Sequence, residues 1–255
     1  MKKFGLVVLI AVLLLCAGVG VAGWFTYSQF TKGEFRIPSL FNSATSTDLG
    51  ITFTPEDSKT VHNALQSEAK AITSDSSECS TIDCTSGKAI YNGTQNVTIT
   101  LTNSQGTALI NEWIQLSPNA PFTAAQMRVN QNGSVDFAGI VDMKQVQRFA
   151  SASNIPSETM QLINKYVGSL GETFPLTASG QLTIKNNQVD ANFSAVKVGI
   201  IPVPSNLLRE YKTQADTFVE ERLTVVKGLS IEELSFSNGK TTFKGTVPKT
   251  IYFVK

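Results

Sequence analysis

Few residues in this chain could do chemistry. His62 is the only histidine among 255 residues. Any pair in which an imidazole takes a proton from a serine or cysteine would have to use it. No nucleophile motif stands anywhere in the sequence to match it. It lies at the edge of an apolar helical stripe and reads as an ordinary boundary histidine, so that His62→Ala is expected to leave the fold intact. Cys79 and Cys84 sit in a polar loop, residues 73–88, with four residues between them. Outside the cytoplasm two such cysteines can close a small disulfide; the alternative is a pair of free thiols. A zinc site needs several nitrogen or sulfur ligands, and the loop lacks them. No metal, no cofactor and no enzymatic activity are expected.

The third cysteine, Cys16, lies inside an uncharged run from Phe4 to Phe25. About 22 residues suffice to cross the hydrocarbon of a bilayer. Lys2 and Lys3 precede the run and favour an N-terminus on the cytoplasmic side, while Trp24 and Tyr27 stand where interfacial aromatics belong. The run reads first as an uncleaved single-pass anchor at the cell membrane, with the remainder of the chain extracytoplasmic. Cleavage after Ala22 and lipidation of Cys16 are the alternatives. Leu15 is bulky for the position before a lipidated cysteine. The organisation expected is an anchor at 1–30, a linker at 31–50 and one α+β domain at 51–255. Phe35, Ile37, Leu40 and Phe41 in the linker are candidates for touching headgroups or the domain.

Composition narrows the partners. Charged residues make up 16 % of the chain and the formal net charge is +1, against roughly 25 % charged residues in average domains. With no basic cluster, nucleic acid is not an expected partner. The bilayer is one, a lipid is another, and protein partners are left open.

The elements that must position any site follow in order. Thr54-Pro55-Glu56-Asp57 opens a helix, with a capping hydroxyl, proline at the first helical position and acids in the first turn. Val61, Ala64, Leu65, Ala69 and Ile72 make its stripe. Asn92-Gly93 reads as a turn into an alternating strand at Val97–Leu101. Thr102-Asn103-Ser104-Gln105 is a capping box, followed by Ala108, Leu109, Trp113 and Ile114 at helical spacing. Asn132-Gly133 predicts a hairpin, and Met143–Phe149 and Ile155–Leu170 predict helices. Phe174, Leu176, Ala178, Leu182 and Ile184 share one parity and make a long strand, turned by Asn186-Asn187. Val189, Ala191 and Phe193 return on one parity, whereas Val196, Val198 and Ile200 fall on the other. A change of phase by one residue predicts a bulge, and with it curvature.

The most informative stretch is Val196–Val247. A strand ends at Pro202 and Pro204, a helix from Ser205 carries apolar residues at spacings of three and four, and Asn238-Gly239 joins a final hairpin. The succession VGIIPVP, helix, then GLSIEELSFSNGKTTFKGTVP resembles the closing module of tubular lipid-binding (TULIP-like) proteins, most of all the small membrane-anchored extracytoplasmic kind from bacteria. The resemblance is best over residues 174–248 and looser over 96–170. It implies a curved antiparallel sheet wrapped around amphipathic helices, with an apolar groove for lipid. Leu208, Tyr211, Ala215, Phe218, Val219 and Leu223 would then form the helix wall of that groove, with Phe193, Val198, Phe236 and Phe243 opposite. Holding or passing a lipid near the membrane is the function so implied. The alternative is a ligand-free cell-surface scaffold or protein-interaction domain, in which the same residues are plain core.

Overall fold

Among the described residues the first helix is capped by Thr54, whose backbone N–H and hydroxyl both donate to Asp57 Oδ2 (2.8 and 2.9 Å). The computed structural model describes residues 48–65, 68–72, 75, 77–80, 89–116, 120–152, 161, 171–210 and 212–254. The expected span at Phe4–Phe25, the linker aromatics, Cys84, Tyr211 and the helix at Ile155–Leu170, apart from Gln161, lie outside them. Among the described residues no helix is long and apolar enough to cross a membrane.

The described chain is α+β. The helices are α1 (Pro55–Leu65), α2 (Asn103–Leu116), α3 (Met143–Ala152), α4 (Ser205–Glu210) and α5 (Lys212–Val225). The strands are β1 (Glu68–Ile72), β2 (Ala89–Thr102), β3 (Phe122–Val129), β4 (Val135–Asp142), β5 (Thr173–Lys185), β6 (Gln188–Val198), β7 (Ile201–Pro202), β8 (Ser230–Ser237) and β9 (Lys240–Val254). They form one sheet in the order β1-β9-β8-β5-β4-β3, with β2 also on β9, β6 also on β5, and β7 on β6. Every pairing is antiparallel except β1 with the end of β9.

Two expectations fail at β1 and β2. Ala69 and Ile72 do not extend the first helix; residues 68–72 pair in parallel with Thr250–Val254 instead. Short apolar spacing cannot distinguish these outcomes, and the free edge of β9 decides. Nor does Asn92-Gly93 turn. Gly93 takes φ 63°, but the ladder keeps its register from Asn92↔Thr250 to Thr94↔Pro248. The hairpins at Asn186-Asn187 and Asn238-Gly239 form as expected, with all four residues at positive φ, the geometry of a two-residue turn matched to strand twist. The hairpin at Asn132-Gly133 also forms, joining β3 to β4.

The expected bulge is present. Ser179 faces Ala195, but Gly180 faces Phe193, so Ser194 is the extra residue. Gly180 belongs there because a Cβ would lie 2.5 Å from Asn192 O. A second bulge sets Glu232 between the pairs Ile231↔Gly245 and Glu233↔Lys244.

The sheet closes its edges with helix side chains. The capping box forms reciprocally, Thr102 N–H to Gln105 Oε1 (2.9 Å) and Gln105 N–H to Thr102 Oγ1 (3.2 Å). It launches α2 antiparallel to β3. Asn103 bonds both the N–H and the C=O of Val129, Thr107 those of Met127, and Asn111 those of Ala125. Four helical residues rise about 6 Å and two strand residues rise about 6.6 Å, so the two periods match over three rungs. The edge strand is thus saturated without a further strand, and it cannot template another chain. The opposite flank repeats the device with carboxylates. On α5, Asp216 Oδ1 accepts from Ala191 N–H (3.2 Å) and Glu220 Oε1 from Val189 N–H (2.8 Å) on β6.

This corrects the reading of Ser205–Leu223 as a helix with one continuous apolar stripe. Helix lies on both sides of Tyr211, as α4 and α5, and the residues that α5 turns to the strand edge include the buried Asp216, not only apolar ones. The physical reason is that exposed strand N–H groups need acceptors more than they need grease. The apolar centre instead lies around α2, where Ala108, Leu109 and Ile110 are fully buried. Leu109 and Ile110 join one contiguous cluster with Phe137, Leu176, Leu234 and Phe243.

Candidate functional site

Of the ten residues expected to wall an apolar groove, five are buried in that single core cluster: Val198, Leu208, Leu223, Phe236 and Phe243. Phe193 and Val219 pack partly buried against it. Ala215 and Phe218 are half-buried on α5. Tyr211 lies outside the described residues. Phe193 and Leu208 of this set line a cleft.

That cleft, of about 400 Å³, opens where the β5–β6 bulge meets the junction of α4 and α5. Its apolar floor is Ala191, Phe193 and Leu208, and its rim carries Ser134, Gln181, Asn192, Ser194, Arg209 and Lys212. The sequence explains the construction. The extra residue at Ser194 bends β6 away from its regular path, and Pro202 and Pro204 break the strand so that α4 can cross. Leu207 N–H then donates to Pro204 O (2.9 Å) in its first turn. Where α5 meets β6, the carboxylates of Glu220 and Asp216 give way to Lys212, one helical step nearer the bulge, and the cleft lies there.

Lys212 is the electrostatic hub. Its Nζ lies 2.7 Å from Asp190 Oδ1 and 2.5 Å from Asp216 Oδ2. Burial works against the ammonium, but the two carboxylates outweigh it and hold the Lys212 pKa above its ordinary value. Lys212 in turn holds Asp190 below the usual carboxylate range. Asp216 goes the other way, because burial raises it by more than Lys212 and the Ala191 N–H lower it. With Lys212 engaged by two carboxylates, the exposed Arg209 is the rim cation directed to solvent. A volume of this size is in the range of small-ligand sites, and polar residues outnumber apolar ones along its lining. A second concavity, of about 340 Å³, surrounds the Gly245 bulge and is lined mainly by polar residues, among them the ion pair Glu232–Lys244 (2.6 Å).

His62 is not the simple boundary residue expected. Its Nε2 lies 3.0 Å from both oxygens of Glu112, a buried carboxylate on α2. Ser58, one turn earlier on α1, donates its hydroxyl to Glu112 Oε2. Ser58 and His62 therefore converge on one carboxylate, with 3.4 Å between their own polar atoms. A relay would use the two ring nitrogens, one toward the hydroxyl and one toward the carboxylate; here hydroxyl and carboxylate both lie at Nε2, which suits a clasp of α1 on α2. His62→Ala is accordingly expected to cost about 1–3 kcal/mol of stability, read from the shift in denaturation midpoint, since it strips a hydrogen-bond partner from a buried polar group. An unshifted midpoint would mean that water replaces the imidazole at no cost.

The sequence carried signals for part of this. The phase change marked the bulge, and Lys212 and Asp216 have the i, i+4 spacing of a helical ion pair. Nothing in local spacing brought Glu112 to Ser58, or Gln181 and Ser134 to Arg209. Cys79 lies in a 3-10 turn, Ser77–Ser80, whereas Cys84 lies outside the described residues, and with it their pairing. Among the described residues no group of three or more His, Cys, Asp or Glu side chains could hold a metal ion. Comparison of the chain with protein-family models, with curated proteins and with solved structures finds no match to any of them.

Proposed function

We propose that this chain is a membrane-anchored extracytoplasmic domain that binds one small amphiphilic molecule, a lipid or related lipophile with an anionic head, in the cleft between the β5–β6 bulge and α4–α5. The observation that carries the reading is the lining: Phe193, Leu208 and Ala191 below, Arg209 and neutral hydrogen-bonding groups above. The uncharged run at Phe4–Phe25 supports the membrane location. The resemblance to tubular lipid-binding proteins supports the ligand class, although the ligand sits at the flank of the sheet and not along a central groove. In that compartment Cys79 and Cys84 close a short disulfide loop.

The test is binding of a fluorescent fatty acid to the full-length chain. Gln181→Trp puts a large ring at an exposed strand position on the cleft rim, and should weaken binding by about tenfold, or 1.4 kcal/mol. Arg209→Glu should weaken binding of the fatty acid but not of its uncharged methyl ester. If both variants bind as the wild type does, the cleft is not the site. If the wild type binds neither probe, the scaffold reading, which the filled core around α2 favours, takes precedence.

A further inference from the structure

The hairpin between β6 and β7 carries an apolar tip that the core does not use. Ile200 was expected on the buried face of a strand continuing from Val196 and Val198. Instead the strand stops at Val198, Gly199 takes φ 62°, and Ile200 stands at the apex with 91 % of its surface exposed. Ile201 follows at 47 %. Among the described residues these two are the exposed large hydrophobics. The tip is held firmly. Gly199 N–H donates to Pro175 O (2.7 Å), Val203 N–H donates to Val196 O (2.8 Å), and Lys197↔Pro202 and Val198↔Ile201 pair across the hairpin. Lys197, paired with Pro202 at its base, is exposed. Two apolar side chains presented on a rigid tip, with a cation behind them, match the layering of a bilayer surface, where apolar groups pass the headgroups and cations meet lipid phosphates.

The chain's own path supplies the occupant. Asp48, the first described residue, is held by Gln126, which donates to its Oδ1 (3.0 Å), and Leu49 N–H donates to Gln126 Oε1 (2.7 Å). Gln126, Ala138, Thr177 and Lys197 form one row across β3, β4, β5 and β6. The point where the chain arrives from its N-terminal run is therefore three strand spacings, about 14 Å, from the base of the tip. Twenty-two residues separate Phe25 from Asp48, and at most about 3.5 Å per residue gives a reach of about 75 Å. We infer that Ile200 and Ile201 insert into the headgroup region of the same bilayer that holds the Phe4–Phe25 anchor, fixing the domain with the cleft beside the membrane surface. Two isoleucines bind a bilayer weakly by themselves, but a tether raises the local concentration of membrane enough for a weak contact to be occupied.

The inference rests on the membrane-anchor part of the proposed function, and the test separates the two. Full-length chain carrying Ile200→Trp is placed in vesicles of equal parts phosphatidylcholine and phosphatidylglycerol, with and without bromine on the acyl chains. The emission of the wild type, from Trp24 and Trp113, is subtracted. The difference emission should be blue-shifted and should lose about half its intensity to the brominated lipid. Adding Ile201→Glu should restore most of it. An unquenched difference emission, with wild-type emission still quenched through Trp24, overturns the tip contact and leaves the anchor standing. Absence of quenching in both overturns the anchor and the tip together. An unquenched difference emission that shifts to the blue as protein concentration rises overturns the bilayer contact in favour of a second copy of the chain.

Discussion

Replacing Asn111 by leucine is expected to lower the stability of the folded domain by about 2–5 kcal/mol, measured by equilibrium urea denaturation of the full-length chain. Asn111 is 1 % exposed, and its amide serves both backbone groups of Ala125, itself fully buried, as well as Thr107 O (2.8 Å). Leucine matches its shape and supplies no polar atom. The N–H and C=O of Ala125 would both be left without partners, at roughly 1–3 kcal/mol each. A domain of this kind has about 5–15 kcal/mol in total, so the variant should sit close to unfolding at growth temperature. Asn111→Asp should be of similar severity, because a carboxylate can accept from the Ala125 N–H but faces the Ala125 carbonyl with another acceptor. Thr107→Val tests the neighbouring rung and should cost less than Asn111→Leu, since it keeps the volume and removes one hydroxyl. A loss below about 0.5 kcal/mol for Asn111→Leu would mean that water reaches the β3 edge and that α2 is held by its apolar face alone.

Gly245→Val is expected to have the other large effect, a loss of about 3 kcal/mol or more with a shift of the β8–β9 register. A Cβ on Gly245 would drive into the carbonyl oxygen of Ser230 and stand 3.2 Å from Glu232 N, both of them backbone atoms at the bulge. Backbone cannot rotate away as a side-chain end can, so the strands must part or the bulge must migrate. Gly50→Ala is the control. Gly50 also needs special conformation, with φ 70°, but nothing lies within 4 Å of where its Cβ would be. Only the left-handed backbone penalty of roughly 1–2 kcal/mol applies there. If Gly245→Val proved no worse than Gly50→Ala, the close approach of β8 and β9 would be a relaxed feature without influence on register.

The chemistry of local turns and caps was legible in the sequence. Thr54 with Asp57 and Thr102 with Gln105 cap their helices as their spacing requires, because every group involved lies within four residues. The hairpins at Asn132-Gly133, Asn186-Asn187 and Asn238-Gly239 form for the same reason, whereas Asn92-Gly93 stays extended because β9 pairs with β2 on both sides of it. The bulge at Ser194 was legible too, since parity along one strand reports which face each residue takes. Tertiary structure decided whatever depended on partners distant in sequence. Residues 68–72 became a strand because β9 offered an open edge, and Ile200 left the core because Gly199 turned the chain before it. Asp216 and Glu220 turned inward because β6 presented N–H groups with no strand beside them. Asn103, Thr107 and Asn111 look on a helical wheel like an ordinary polar face, and only the arrival of β3 makes them a hydrogen-bonded edge. The same holds for the site: each of Phe193, Leu208, Arg209 and Lys212 was visible in the sequence, but a cleft is the space between elements, and that space exists only once strand, bulge and helix have met.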